Sequence, residues 1–240
     1  MKRILLACLL GAAATLVQAG PKIEHWTAPS GARVVFVESR VVPIVDIQID
    51  FAAGGAYAPA DKAGLAGLTR SLLDMGAGEL DEEKIADRLA DIGALLGGGA
   101  DQDRSSISLR SLSSPREREA ALDLMRLVLQ KPVFSADVLA REKARTIAGI
   151  READTRPASI AAKRFAAALY PAHPYGRVPT AESVERVGRD DLVAFYKAHY
   201  GARRATVSII GDLSRAEAEA IAQRLTDGLP DAPAEVSLPD

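Results

Sequence analysis

The predicted strands of this chain come in adjacent pairs, which restricts the topologies that it can adopt. Residues 43–51 alternate apolar and polar side chains, and residues 33–38 just before them are rich in β-branched residues. A second pair is predicted at residues 95–100 and 105–112, after two helical segments. Consecutive strands pair through short connections, whereas strictly alternating strands and helices build parallel sheets. The order therefore predicts an α+β fold, a two-layer sandwich in which helices pack on a mainly antiparallel sheet.

Most of the remaining segments have the apolar spacing of helices that bury one face. Predicted helices cover residues 64–75, 81–92, 114–130, 135–153, 160–170, 190–199 and 214–226, and a last strand covers residues 205–210. Residues 171–179 are rich in proline and are predicted to form a loop.

The two ends of the chain differ in composition from the predicted domain between them. Residues 1–19 have a basic start, an apolar run and the ending Val17-Gln18-Ala19, the pattern of a cleaved secretory signal peptide. The apolar run is too short to span a bilayer comfortably, so we expect no membrane span after cleavage. Residues 229–240 have the composition of a linker or tail. These boundaries leave residues 20–228 as one domain. The signal-peptide pattern predicts a bacterial protein that is periplasmic or secreted.

Charge and histidine content exclude several classes of function. The chain has 30 Lys and Arg against 32 Asp and Glu, without a basic block, so nucleic acid is not an expected partner. The three histidines are His25, before the first predicted strand, His173, in the proline-rich loop, and His199, at the end of a helix. No two have the spacing of metal ligands. We expect His173 to pack in its loop, and His199 to interact favourably with the helix dipole.

Five stretches, in this order along the chain, resemble the insulinase/pitrilysin family of zinc peptidases, and in particular its mitochondrial processing peptidase group. They are Gly64-x-Ala66 followed by Gly76; Gly93-Ala94-x-Leu96 leading into Asp101-Gln102-Asp103; Glu142-Lys143-x-Arg145; His173-Pro174-Tyr175-Gly176-Arg177 followed by Thr180-x-Glu182-Ser183; and Asp191-Leu192-x-x-Phe195-Tyr196-x-x-x-Tyr200 before Val207-x-x-x-Gly211-Asp212. The resemblance covers nearly all of residues 20–228. It implies the α+β domain of that family, and it corresponds to the N-terminal one of the two halves that full-length members carry.

The resemblance also locates where the family's metal site would lie. Its inverted H-x-x-E-H motif places two zinc ligands and the catalytic base on one face of a helix. Position by position, the chain has Gly67, Arg70 and Ser71 there, and the family's third ligand falls at Gly149. Glu152, one turn later, is a conceivable replacement, but a single carboxylate does not hold zinc. We therefore predict no catalytic residue and no metal ligand in this chain, with zinc expected only in a catalytic partner.

Two side chains at the degenerate motif have more than one interpretation. Arg70 can form an ion pair with Asp74 one turn later, or it can bind a carboxylate of a substrate. Ser71 and His173 can be imagined in a hydrolase triad with an aspartate. No nucleophile elbow surrounds Ser71, and a serine in the middle of a helix is poorly presented for attack. We therefore favour the ion pair for Arg70 and no triad.

The candidate substrate-binding residues are Gly97, Gly98, Gly99 and Ala100. In the resembling family this position is an edge strand onto which an extended peptide adds as a further strand. Glycines permit close approach of a peptide backbone, and main-chain hydrogen bonds bind without sequence preference. The alternative is that these glycines mark a bulge or a flexible strand end.

Three functions remain open at this point. The first is a non-catalytic insulinase-family subunit, inactive alone, that pairs with a homologous zinc-bearing peptidase and binds peptide substrates. The second is a zinc metallopeptidase with an unconventional ligand set. The third is a free-standing peptide-binding protein.

Overall fold

A computed structural model describes residues 20–233 and residue 238. The predicted signal peptide, residues 1–19, lies outside the described residues, as does part of the predicted tail. The predicted fold is confirmed, because the described chain forms a largely antiparallel sheet with helices packed on one face.

The main sheet has six strands in the described part of the chain, in the order β1-β2-β8-β3-β7-β6. The strands of this sheet are β1 (Ile23–Thr27), β2 (Arg33–Glu38), β3 (Ile44–Phe51), β6 (Leu95–Ala100), β7 (Ser105–Leu112) and β8 (Ala205–Gly211). Neighbouring strands are antiparallel except β2 and β8, which run parallel. Two short strands, β4 (Gly76–Ala77) and β5 (Leu80–Asp81), form a separate small hairpin. In this order β6 lies at one edge of the sheet.

Helices form the second layer. They are α1 (Leu65–Leu72), α2 (Glu82–Asp91), α3 (Pro115–Gln130), α4 (Ala136–Ala153), α5 (Pro157–Leu169), α6 (Ala181–Glu185), α7 (Arg189–His199) and α8 (Arg215–Thr226). Except in α5, which has no buried residue, their apolar side chains pack on the inward residues of the strands to form one hydrophobic core.

The central strand β3 shows how the sheet divides the two layers. Its inward residues, Val45, Ile47, Ile49 and Phe51, are buried, whereas the residues between them are half-buried or exposed. This period-two burial is what the sequence pattern predicts for a strand with one covered face. On the other face the carboxylate of Asp46 accepts hydrogen bonds from Arg110 of β7, with a shortest distance of 2.6 Å.

The structure corrects several predicted boundaries. His25 lies within strand β1 rather than before the first strand, and β1 pairs with β2. The helix predicted to begin at residue 160 begins at Pro157, because proline at the first helical position needs no amide hydrogen. Helix α1 ends at Leu72, not at residue 75, and helix α6 lies where no helix is predicted. In the predicted tail, Ala232 is buried.

Candidate functional site

Helix α1 carries the degenerate motif and lies beneath the edge of the sheet. It packs against β6, β7, α4 and α7. Of the three motif positions, Gly67 is exposed, Ser71 is half-buried, and Arg70 is buried with only 5% of its surface exposed. A buried guanidinium needs hydrogen-bond partners to offset its desolvation, so its surroundings define the site.

Arg70 bridges three parts of the structure. Its Nε donates to the carbonyl oxygen of Ser106 on β7 at 2.6 Å, and its Nη2 donates to the carbonyl oxygen of Gly97 on β6 at 2.5 Å. Its Nη1 lies 3.4 Å from the carboxylate of Asp74, so the predicted ion pair is present but is the longest of the three contacts. The guanidinium therefore fastens the edge strand β6 to β7 and to α1.

The side chain of Arg70 runs close to Gly98 of β6. The φ of Gly98 is +133°, a conformation that side-chain-bearing residues rarely adopt. A β-carbon at this position would collide with the carbonyl oxygen of Ser106 and lie 2.8 Å from Nη2 of Arg70. Glycine at this position thus makes room for the guanidinium.

The residues present at the motif do not fit a zinc ion. Zinc sites in proteins use three or four Cys, His, Asp or Glu ligands, and Gly67 and Ser71 supply neither imidazole nor carboxylate. Arg70 places a fixed positive charge there, which repels a cation. No group of three or more such residues that could hold a metal occurs among residues 20–233.

Helix α4, which would supply the third zinc ligand, also carries no zinc-binding side chain at the expected position. Gly149 on α4 is exposed, and no atom lies within 4 Å of the position that a β-carbon would take. Glu152, the conceivable replacement, is exposed and forms a surface pair with Arg156 at 3.6 Å. Glu142, one of the residues that carry the resemblance, is buried and pairs with Arg145 at 2.7 Å. Each of the two glutamates of α4 therefore has an arginine partner of its own.

The imagined triad of Ser71 and His173 finds no support in the contacts. The hydroxyl of Ser71 donates to the carbonyl oxygen of Leu68 in its own helix at 3.1 Å. Nδ1 of His173 accepts the backbone N–H of Tyr175 at 3.2 Å, and the two rings pack edge to face, so His173 packs in its loop as predicted.

Gly97, Gly98, Gly99 and Ala100 form the outer part of β6, with no further strand beside them in the described chain. The last three are exposed. Both the N–H and the C=O of Gly99 contact the Ser106 hydroxyl of β7, at 3.2 Å each. Because residues alternate sides in an antiparallel ladder, we expect the backbone groups of Gly98 and Ala100 to point away from β7. The edge would then offer main-chain donors and acceptors where the sequence predicts peptide binding.

A cavity of about 380 Å³ lies beside the motif helix and the end of β6. Small residues supply much of its wall, and no atom lies within 4 Å of the position that a β-carbon of Gly67 would take. Ala100 and Asp101 line it on the sheet side, and Arg177 lines it on the loop side. Sequence reasoning did not single out Arg177; its place in the His173–Arg177 stretch was the available signal.

His199 behaves differently from its prediction. It is buried between the rings of Phe195 and Tyr57, whose centroids lie 4.4 and 5.3 Å from its own. Burial, and then the nearby positive charge of Arg204, lowers the pKa of His199 to about 4. The imidazole is neutral near pH 7, so the predicted favourable interaction of a cation with the helix dipole is wrong.

Taken together, the fold and the motif helix define a class: a zinc-peptidase-like α+β domain whose motif helix carries residues that do not fit zinc. Comparison with known proteins gives the family. Residues 33–180 match the family model described as insulinase (peptidase family M16), and residues 186–240 match the model described as the peptidase M16 inactive domain. The chain therefore belongs to the insulinase family, and the predicted resemblance is confirmed.

Similar proteins include both structures and sequences. A crystal structure described as the peptidase M16 inactive domain from Pseudomonas fluorescens has 36% identity and a TM-score of 0.88, covering 91% of this chain and 53% of that one. The probable mitochondrial-processing peptidase subunit beta of Arabidopsis thaliana is 21% identical over 84% of this chain and 38% of its own length. The non-peptidase homolog YmxG of Helicobacter pylori is 23% identical over 89% of this chain and 49% of its own.

The chain is shorter than each of these relatives. The chain spans about two fifths to one half of the length of these relatives. Within the described ranges, no helix has both the length and the apolar character needed to cross a membrane.

Proposed function

We propose that this chain is a non-catalytic peptide-binding subunit of the insulinase family, which pairs with a homologous, zinc-bearing subunit and presents extended peptide to it. The observation that carries the proposal is Arg70. Its guanidinium occupies a motif position, and it holds the edge strand through Gly97 and Ser106. A framework that is kept around a site unsuited to metal favours binding over hydrolysis.

The edge strand supports the peptide-binding part of the proposal. An unpaired strand edge is a template for β-augmentation, in which main-chain hydrogen bonds supply the affinity. Gly97, Gly98 and Gly99 remove the side chains that would keep a second backbone away. Arg70 fixes this glycine-rich segment in place, which lowers the ordering cost of binding.

The pairing part of the proposal is supported by the lengths of the relatives. The chain matches about half of each of two relatives, the non-peptidase homolog YmxG and the Pseudomonas fluorescens structure. A second domain of similar size, in the same or another chain, would complete a comparable assembly. We further propose that the assembly acts in the periplasm, on the evidence of the N-terminal sequence.

Peptide binding is tested without altering the protein. Dye-labelled dodecapeptides are titrated with the purified chain and followed by fluorescence anisotropy, and each has one twin that is N-methylated on alternate residues and one that is N-methylated on every residue. If main-chain pairing without sequence preference binds the peptide, the alternately methylated twin still binds, because a shift by one residue turns its free N–H groups toward β6, whereas the fully methylated twin does not bind. Equal binding of the fully methylated twin and the unmethylated peptide would refute pairing at the edge.

Pairing and the lack of catalysis are tested together. The chain is co-expressed with an insulinase-family protein from the same organism that retains H-x-x-E-H, and the mixture is separated by size exclusion. We expect co-elution and a chelator-sensitive peptidase activity that the isolated chain lacks. Separate elution with intact peptide binding would favour the free-standing binding protein, and chelator-sensitive hydrolysis by the chain alone would overturn the proposal.

A further inference from the structure

The cavity beside Gly67 and Arg177 has no role in the function proposed so far. It lies next to Ala100, the last residue of β6, so a peptide on the edge strand would pass its mouth. We propose that this cavity binds a carboxylate of that peptide and that Arg177 recognises it. This inference rests on the proposed function, because it requires an extended peptide paired with β6.

Charge is the first argument. The Arg177 guanidinium donates a long hydrogen bond, 3.5 Å from Nη1 to the carbonyl oxygen of Ala58. Within residues 20–233, no carboxylate oxygen lies within 4.0 Å of a guanidinium nitrogen of Arg177. A guanidinium has five N–H donors, and a carboxylate is the peptide group that matches two of them at once.

Asp101 is the other charged residue in the wall, and its carboxylate is already engaged. It accepts the backbone N–H groups of Asp103 and Arg104 at 2.8 and 2.7 Å, and the Arg104 guanidinium lies 3.4 Å away. Partial burial alone would raise the pKa of Asp101, but these contacts together outweigh it and lower the pKa, so the carboxylate is ionised at neutral pH and partly neutralised by Arg104. The positive charge of Arg177 is therefore the one left available to a ligand.

Shape is the second argument. The walls near Gly67 are made of small residues, namely Gly55, Ala63, Gly64 and Ala66. The volume of about 380 Å³ exceeds what one acidic side chain needs, so the carboxylate can enter with part of its water. Side chains alternate sides along an added strand, so those of every second peptide residue face the helix layer, where the cavity lies.

A carboxylate can come from an acidic side chain or from the C-terminus of the peptide. Three dye-labelled dodecapeptides of one sequence separate these sources: one with a central glutamate and an amidated end, one with glutamine instead, and one with glutamine and a free C-terminal carboxylate. Each is titrated with the full chain by fluorescence anisotropy. We expect one carboxylate peptide, or both, to bind about tenfold more tightly than the neutral peptide, and salt to reduce this preference.

Variants assign the preference to the cavity. In Arg177→Gln the carboxylate and neutral peptides should bind equally, whereas Arg177→Lys should keep part of the preference. Arg186→Gln removes the same charge from an exposed residue outside the cavity and should change nothing. Gly67→Met fills the cavity and should also abolish the preference. Gly149→Met, an exposed helical glycine that does not line the cavity, is its matched control.

The possible failures are distinguishable. If all three peptides bind equally to the unaltered chain, or if the preference survives both Arg177→Gln and Gly67→Met, the carboxylate site is refuted and the edge-strand function stands. If no peptide binds at all, the proposed function fails and this inference fails with it. Should Arg177→Gln not fold, Gly67→Met decides, because it adds a side chain into open space.

Discussion

The clearest consequence of the structure is that Arg70 stabilises the edge strand, and Arg70→Met tests it. The substitution keeps a long, flexible side chain in α1 and removes the guanidinium. It leaves the carbonyl oxygens of Gly97 and Ser106 without the donors that now lie 2.5 and 2.6 Å away. The loss should therefore appear first in β6 and in its pairing with β7.

The magnitude follows from the contacts. Hydrogen bonds to charged groups contribute about 1.5–3 kcal/mol each, so the two carbonyl contacts together give about 3–6 kcal/mol. Burial of the methionine offsets about 1–2 kcal/mol of this. The pair with Asp74 adds little, because it is 3.4 Å long and the Asp74 side chain is 26% exposed. The free energy of unfolding should therefore fall by about 1–5 kcal/mol, with a central value of about 3 kcal/mol.

Urea unfolding measures that loss, and hydrogen exchange locates it. The amides of residues 95–100 should exchange faster in Arg70→Met, while those of β3 change only with global stability. Asp74→Asn is the matched control and should cost less than about 1 kcal/mol. A loss below about 1 kcal/mol in Arg70→Met, with unchanged exchange in β6, would refute the reasoning.

Three further predictions concern single residues. Gly98→Ala should cost about 3 kcal/mol in urea unfolding, because of its positive φ and the collision with β7, whereas Gly99→Ala, with open space around it, should stay within about 0.5 kcal/mol; equal losses would contradict this. Tyr200→Phe should cost about 1–2 kcal/mol, because the buried Tyr200 hydroxyl lies 2.6 Å from that of Ser105, and a neutral effect on thermal unfolding would count against that bond. His199→Leu should make the free energy of unfolding less dependent on pH between about 6.5 and 4. In the unaltered protein, the unfolded state binds a proton on His199 below about pH 6.5, whereas the folded state binds it only below its pKa of about 4. This proton uptake lowers the free energy of unfolding of the unaltered protein by up to about 3 kcal/mol as the pH falls. Identical pH profiles of stability for both proteins would refute the prediction.

Local patterns in the sequence were enough to predict most of the fold. The alternation in β3 and the paired segments β6 and β7 gave the antiparallel sheet, because period-two burial follows from strand geometry alone. The parallel pairing of β2 with β8 joins residues far apart in the chain, and no local pattern encodes it. Strand β1 was missed because it is short and half-exposed, with burial that alternates only weakly.

At the candidate site, the residue types predicted the absence of zinc ligands more readily than they predicted what Arg70 does instead. Gly67 and Ser71 supply neither imidazole nor carboxylate, so the sequence predicts that they do not ligate zinc, and this stays a prediction. The role of Arg70 depends on two carbonyl oxygens contributed by β6 and β7, and a helical pattern points only to its neighbour Asp74. Arg177 lies far along the chain from Gly67, so only the fold reveals that they line one cavity.

The central claim is that this domain holds peptide and cannot hold a catalytic zinc ion. The most direct test measures the zinc content of the purified chain after gel filtration in zinc-containing buffer, by inductively coupled plasma mass spectrometry. The mass spectrum of a bound peptide shows alongside it whether the chain has cut the peptide. The account predicts far less zinc than protein and an uncut peptide. Near-stoichiometric zinc, with hydrolysis that a chelator abolishes, would contradict it.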